Sequence, residues 1–198
     1  MPDLFVPLVL FAAVTTLTPG GATTLATASG TRFGYPRSLP LLLGMTTGLI
    51  AIVASTATGL AALIATVPAI SLAMKLVGSA YLLWLAVRIA RAGPPAAASG
   101  ETSTPIGFPG GLALVAVNPK AWTMALGAAS SFSAIAADPV RVAMLLGGVF
   151  GTAGLFSMSL WCLGGTLLAR LLHTERHWTI LNVALAVLLA VSILSIWL

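Results

Sequence analysis

Thr18-Pro19-Gly20-Gly21 interrupts an apolar run that starts at Leu4 and fades near Gly30. A proline in a helix interior removes one backbone hydrogen bond and clashes with the preceding turn, at a cost of about 3 kcal/mol. Two glycines directly behind it withdraw side-chain support for the helix as well. In a bilayer the freed N–H and C=O groups meet no water unless they line a cavity or are buried in protein. A break at this depth marks a place where backbone faces a solute. A second break, Asn118-Pro119-Lys120, interrupts the fourth apolar run. Two broken segments in corresponding places of two halves point to a transporter binding site.

Composition agrees with that setting. Of 198 residues, 59% are hydrophobic and 7% charged, with a mean hydropathy of +1.07; a soluble domain carries about 25% charged residues. So much apolar surface has no soluble packing solution at this size, so the chain is an integral membrane protein whose first partner is the lipid bilayer. The net charge of +5 is read as arginines in cytoplasmic loops. No basic run carries interleaved aromatics, so nucleic acid is not a partner. The single cysteine, Cys162, lies in an apolar run. It can form neither an intrachain disulfide nor a two-thiol relay, and is read as a small packing residue. Residues 4–28 are a poor signal peptide. Met1-Pro2-Asp3 carries no positive side chain, and the run is too long for a signal h-region. The segment is expected to stay as the first transmembrane helix.

Six runs reach the roughly 20 residues needed to cross the hydrocarbon core. They cover residues 4–29, broken at Pro19, then 41–66, 68–90, 108–135, broken at Pro119, 141–168 and 178–198. The expected fold is all-α: one polytopic membrane domain over 1–198, with halves 1–92 and 107–198 and a Pro/Ala/Ser/Thr-rich linker at 93–106. Residues 30–40 read as a loop with Arg32 and Arg37, and Asp138-Pro139 as a turn. Gly44/Gly48, Ser55/Gly59 and Gly147/Gly151 place small residues four apart, which lets helices approach closely. Such faces suit packing within one chain or across a homodimer.

Arg32, Arg37, Arg88, Arg91, Arg170 and Arg176 fall in the loops after spans one, three and five. Only Arg141 marks the opposite edge, and Lys75 is expected to snorkel towards it. This bias places those three loops in the cytoplasm and both termini outside. Pro19 aligns with Pro119, and Gly44/Gly48 with Gly147/Gly151. Three spans per half would turn the second copy upside down. The result is an inverted repeat, with helices 1 and 4 broken and alternating access about a midplane site.

Four stretches in order carry a resemblance. They are Thr18-Pro19-Gly20, the glycine-rich basic turn Ser29-Gly30-Thr31-Arg32-Phe33-Gly34, Leu76-Val77-Gly78-Ser79-Ala80-Tyr81-Leu82, and Gly110-Gly111-Leu112 through Asn118-Pro119-Lys120-Ala121. Together they resemble the lysine exporter (LysE/RhtB-type) family of bacterial amino-acid exporters. That family continues Thr-Pro-Gly with Pro-Asn, where this chain has Gly21-Ala22, leaving Thr23 and Thr24 as the nearby hydroxyls. The resemblance implies export of an amino acid or close derivative across the bacterial cytoplasmic membrane, driven by the proton motive force, with no cofactor.

An amino acid brings a carboxylate and an ammonium into a low-dielectric site, and both need partners. Broken helices supply freed N–H groups for one and freed C=O groups for the other. Thr18, Pro19, Gly20 and Gly21 are expected to form one side of the substrate site; Asn118, Pro119 and Lys120 form the other. Asn118 both donates and accepts, and Lys120 pairs a carboxylate or carries a proton. Against this stand an ordinary kink at each proline and a snorkelled anchor at Lys120. Asp3, Glu101, Asp138 and Glu175 all lie at span ends or in loops, which favours a neutral substrate over a cation. His173 and His177 are too few to hold zinc. The tryptophans read as interface or packing residues, with Trp122 also placed to line a cavity. No nucleophile–base pair or acidic metal cluster lies at depth, so the chain is not read as an enzyme. The rival readings are export of another small solute and a non-transporting membrane partner.

Overall fold

The computed structural model describes residues 2–59, 68–91, 104–172 and 174–197, all in helices and short connections. Helix α1 spans Pro2–Leu17, α2 Gly21–Ala57, α3 Pro68–Ala90, α4 Phe108–Ala116, α5 Pro119–Phe132, α6 Pro139–Leu171 and α7 Glu175–Trp197. A single 3-10 turn, Ser133–Ile135, follows α5. Most of the linker, the end of the second apolar run and His173 lie outside the described residues, as does the Lys75 side chain.

Three of these helices, α2, α6 and α7, contain stretches long and apolar enough to cross a membrane; α1 and α3 contain shorter apolar stretches. The side-chain distribution reverses that of a soluble protein. Val14, Met144 and Phe156 are each 64% exposed, while Thr16, Thr23, Thr24, Thr27 and Ser29 are buried. Burial of hydroxyls under an apolar exterior is the arrangement a lipid solvent requires, because outward-facing polar groups would find no partner there.

Residues 30–40, expected as a loop, are helical except at Gly34, whose φ of 74° and ψ of 169° break the helix. Nine residues of straight helix rise about 13.5 Å, yet the Ser29 and Ser38 hydroxyls lie 2.7 Å apart. The chain therefore reverses at Gly34, and the loop shrinks to one residue. Pro36 falls in the first turn after the reversal, where a missing N–H has no intrahelical partner to lose. Ser38 Oγ donates to Gly34 O and closes the turn. An L side chain at φ 74°, ψ 169°, a region essentially confined to glycine, is strained by about 1–3 kcal/mol. Gly34→Ala is thus expected to lower stability by that amount, read as a reduced unfolding temperature in detergent.

Asp138, expected in a turn, caps α6: its Oδ1 accepts from the Val140 N–H at 3.1 Å, with Pro139 in the first helical position. Helices α2 and α6 are the hub of the fold. The first half of α2 crosses α6 backbone to backbone: a Cβ at Gly30 would strike Cys162 O, and one at Gly165 would strike Thr27 O. The second half crosses α4 in the same way, with Gly44 against Phe108 O and Gly111 against Leu41 O. Gly147 and Gly151 receive the side chain of Ile50. Gly59 differs from the expected packing role. It has a φ of 88° and, among the described residues, nothing within 4 Å of an added Cβ, so it serves the C-terminal turn of α2.

Candidate functional site

Helix α1 stops at Leu17 and α2 starts at Gly21; α4 stops at Ala116 and α5 starts at Pro119. Each stop leaves carbonyls without an intrahelical donor, and side chains from elsewhere supply donors. The Trp161 indole N–H donates to Leu17 O at 3.2 Å, and Ser157 Oγ to Thr16 O at 2.7 Å. At the other stop the Trp122 indole N–H donates to Ala116 O at 2.9 Å. Trp122, read as an interface or packing residue that is also placed to line a cavity, packs against the core and caps a helix end, as Trp161 does.

The helix starts are arranged differently from each other. At α5, Asn118 Oδ1 accepts from the Lys120 N–H at 3.0 Å, so its carbonyl oxygen is committed to the cap. At α2 the capping position is Gly20, which has no side chain to accept from the first turn. Thr23 Oγ1 instead accepts from Gly20 N at 2.8 Å and donates to Gly20 O at 2.9 Å. The start of α2 thus presents N–H groups with the positive end of a helix dipole behind them.

Lys120 joins the two places. Its Nζ donates to Thr18 O at 2.6 Å and lies 3.5 Å from Pro19 O. Its stem passes over Gly20, where an added Cβ would sit 3.3 Å from Lys120 Cδ. The Lys120 side chain and the Thr18 backbone carbonyl, 102 positions apart in sequence, therefore meet through a charged hydrogen bond.

Two cavities flank this bridge. One of about 50 Å³ lies towards Met45, Thr46, Leu49 and Met158; one of about 300 Å³ lies towards Leu82, Leu188, Val191 and Ser192. Gly20, Gly21, Asn118 and Lys120 line both, and Pro19 and Thr24 the larger. Thr18 contributes its carbonyl to Lys120, while Pro119 opens α5 without lining either cavity. Sequence reasoning missed Thr46, the methionines and Trp161. Thr46 did carry a signal: a hydroxyl inside a long apolar run. A third cavity, of about 260 Å³, is lined by Arg32, Arg88 and Arg91, three of the arginines expected on one membrane face. Among the described residues no cluster of His, Cys, Asp or Glu is suited to a metal.

Residues 13–193 match the LysE type translocator family. Relatives named Cysteine/O-acetylserine efflux protein align over nearly the whole chain. The one from Salmonella typhimurium (strain LT2) is 33% identical over 181 residues, 90% of each chain. That from Klebsiella pneumoniae subsp. pneumoniae is 34% identical over 175 residues, 86% of each. One from Escherichia coli O139:H28 is 30% identical over 189 residues, 95% of this chain and 94% of the relative. No solved structure matches. The chain belongs to the LysE type translocator family: it is a membrane transporter and not an enzyme.

Proposed function

We propose that this transporter exports a small neutral amino acid or close derivative across the bacterial cytoplasmic membrane, through a site at the Lys120 bridge. The hydrogen bond from Lys120 Nζ to Thr18 O carries the reading, because it brings both interruptions to one place where two cavities share a wall. A substrate carboxylate is received by Lys120, the Asn118 amide N–H and the uncapped start of α2, and the ammonium by carbonyls of residues 18–19. The printed names of the relatives, which give cysteine and O-acetylserine, support a small uncharged side chain.

The six-span inverted repeat belongs to this reading. A 13-residue helix, 21–33, follows the first interruption, and the 14-residue α5 follows the second. Each is succeeded by a reversal, at Gly34 and at 133–138, and then by a long helix. The shared cavity of Arg32, Arg88 and Arg91 supports placing those residues on the cytoplasmic face, with both termini outside. In an alternating-access cycle, substrate competes with Thr18 O for Lys120, and the wall between the cavities opens to one side at a time. Coupling to the proton gradient completes the proposal.

Efflux of labelled amino acids from vesicles, with and without an imposed proton gradient, tests it. Gradient-dependent efflux of small neutral amino acids is the expected result. Asn118→Ala is expected to reduce that efflux about tenfold through one lost substrate hydrogen bond. It also costs about 1 kcal/mol of stability through the lost cap. Unchanged efflux from folded Asn118→Ala would remove Asn118 from the site. No amino-acid efflux from folded wild-type protein would leave export of another small solute.

A further inference from the structure

We infer that the small cavity beside the Lys120 bridge receives the substrate's side chain, and that the Thr46 hydroxyl reads whether that side chain ends in a hydrogen-bonding atom. The inference rests on the amino-acid reading above and extends it to selectivity. Thr46 is 7% exposed, and among the described residues its Oγ1 is the one buried side-chain polar atom without a hydrogen-bond partner. Four other hydroxyls of α2 behave differently. Thr27, Thr31, Ser38 and Thr56 each donate to a carbonyl three or four residues back. A buried, unbonded hydroxyl is unfavourable by itself, and Thr46 lines the same cavity as Gly20, Asn118 and Lys120. A ligand held at the bridge by its carboxylate and ammonium places its side chain within reach of that cavity.

Size and chemistry narrow the class. By the same measure of volume a water needs about 10–15 Å³, and a cavity of about 150 Å³ takes benzene. The 50 Å³ here therefore admits a group of about two or three non-hydrogen atoms. Met45, Met124 and Met158 form much of the remaining wall, and thioethers are soft, adaptable contacts. A short side chain with a hydroxyl or thiol satisfies Thr46; alanine fills the space but leaves the hydroxyl unbonded, and leucine or phenylalanine is too large.

The test compares efflux of labelled serine, cysteine, alanine and leucine from vesicles containing wild type, Thr46→Val or Thr46→Ser. Wild type is expected to export serine and cysteine about tenfold more efficiently than alanine, the discrimination of one hydrogen bond, and to export no leucine. Thr46→Val keeps the shape and removes the hydroxyl. It should export serine and cysteine no more efficiently than alanine, and unfold at no lower temperature, since no protein hydrogen bond is lost. Thr46→Ser should retain the preference. A preference that survives in Thr46→Val, or a clear loss of its thermal stability, would overturn the role of Thr46 while leaving amino-acid export intact. Absence of all amino-acid efflux from folded wild type would overturn both readings.

Discussion

Lys120→Met is expected to lower amino-acid efflux about ten- to a hundredfold while the protein still folds. Hydrogen bonds to charged groups contribute about 1.5–3 kcal/mol, and about 1.4 kcal/mol corresponds to a tenfold change in rate. Methionine retains the length of the stem that lies over Gly20 but removes the cation that joins Thr18 O to α5. The substrate loses its carboxylate partner at the same time. Lys120→Arg should not restore activity. A planar guanidinium cannot replace a compact ammonium on a single carbonyl. Initial efflux rates at matched protein content, with thermal unfolding alongside, check this. Near-normal efflux from folded Lys120→Met would show that the lysine is an anchor and would move the substrate away from the bridge.

The largest stability effects are expected from one chemical change made at different glycines. Gly30→Ala places a methyl group into Cys162 O, and Gly165→Ala places one into Thr27 O. Both obstacles are helix backbone, so no rotamer change relieves them and the helices must move apart. Overpacking of this kind costs about 1–3 kcal/mol or more. At Gly148 and Gly164 an added Cβ meets nothing within 4 Å among the described residues. There the same substitution should stabilise by about 0.5–1 kcal/mol, through lower helix-interior entropy loss. The two sets should therefore separate by several degrees in unfolding temperature. Because Gly30 and Gly165 serve one crossing, their double variant should cost less than the sum of the two. Equal stability across all four variants would mean that α2 and α6 do not approach at this contact.

Sequence and tertiary structure contributed differently to the candidate site. Gly20, Gly21, Asn118 and Lys120 were legible because proline and glycine punctuate an apolar run at a recognisable cost, and because Asn and Lys are rare in such runs. Gly34 was not legible. Its neighbours Arg32, Tyr35, Pro36 and Arg37 read as loop, and only its positive φ between two helices shows a one-residue reversal. Ser55 and Gly59 had the spacing of a packing pair, but the end of α2 at Ala57 gave Gly59 a turn conformation instead. Trp161 was equally opaque, since its partner Leu17 lies more than a hundred residues away and accepts through backbone, which leaves no sequence pattern.

By itself the sequence determined that this chain is helical, lives in lipid, and has helix boundaries beside Pro19 and Pro119. Those properties follow from composition and local backbone chemistry, which each residue carries wherever it sits. Tertiary structure alone decided that Lys120 reaches Thr18 O, that two tryptophans cap the interrupted helix ends, and that Thr46 is left without a partner beside the bridge. These depend on which backbones pack closely enough to meet. That is set by the glycine contacts of α2 with α4 and α6, where removing one Cβ brings together atoms that no local rule connects.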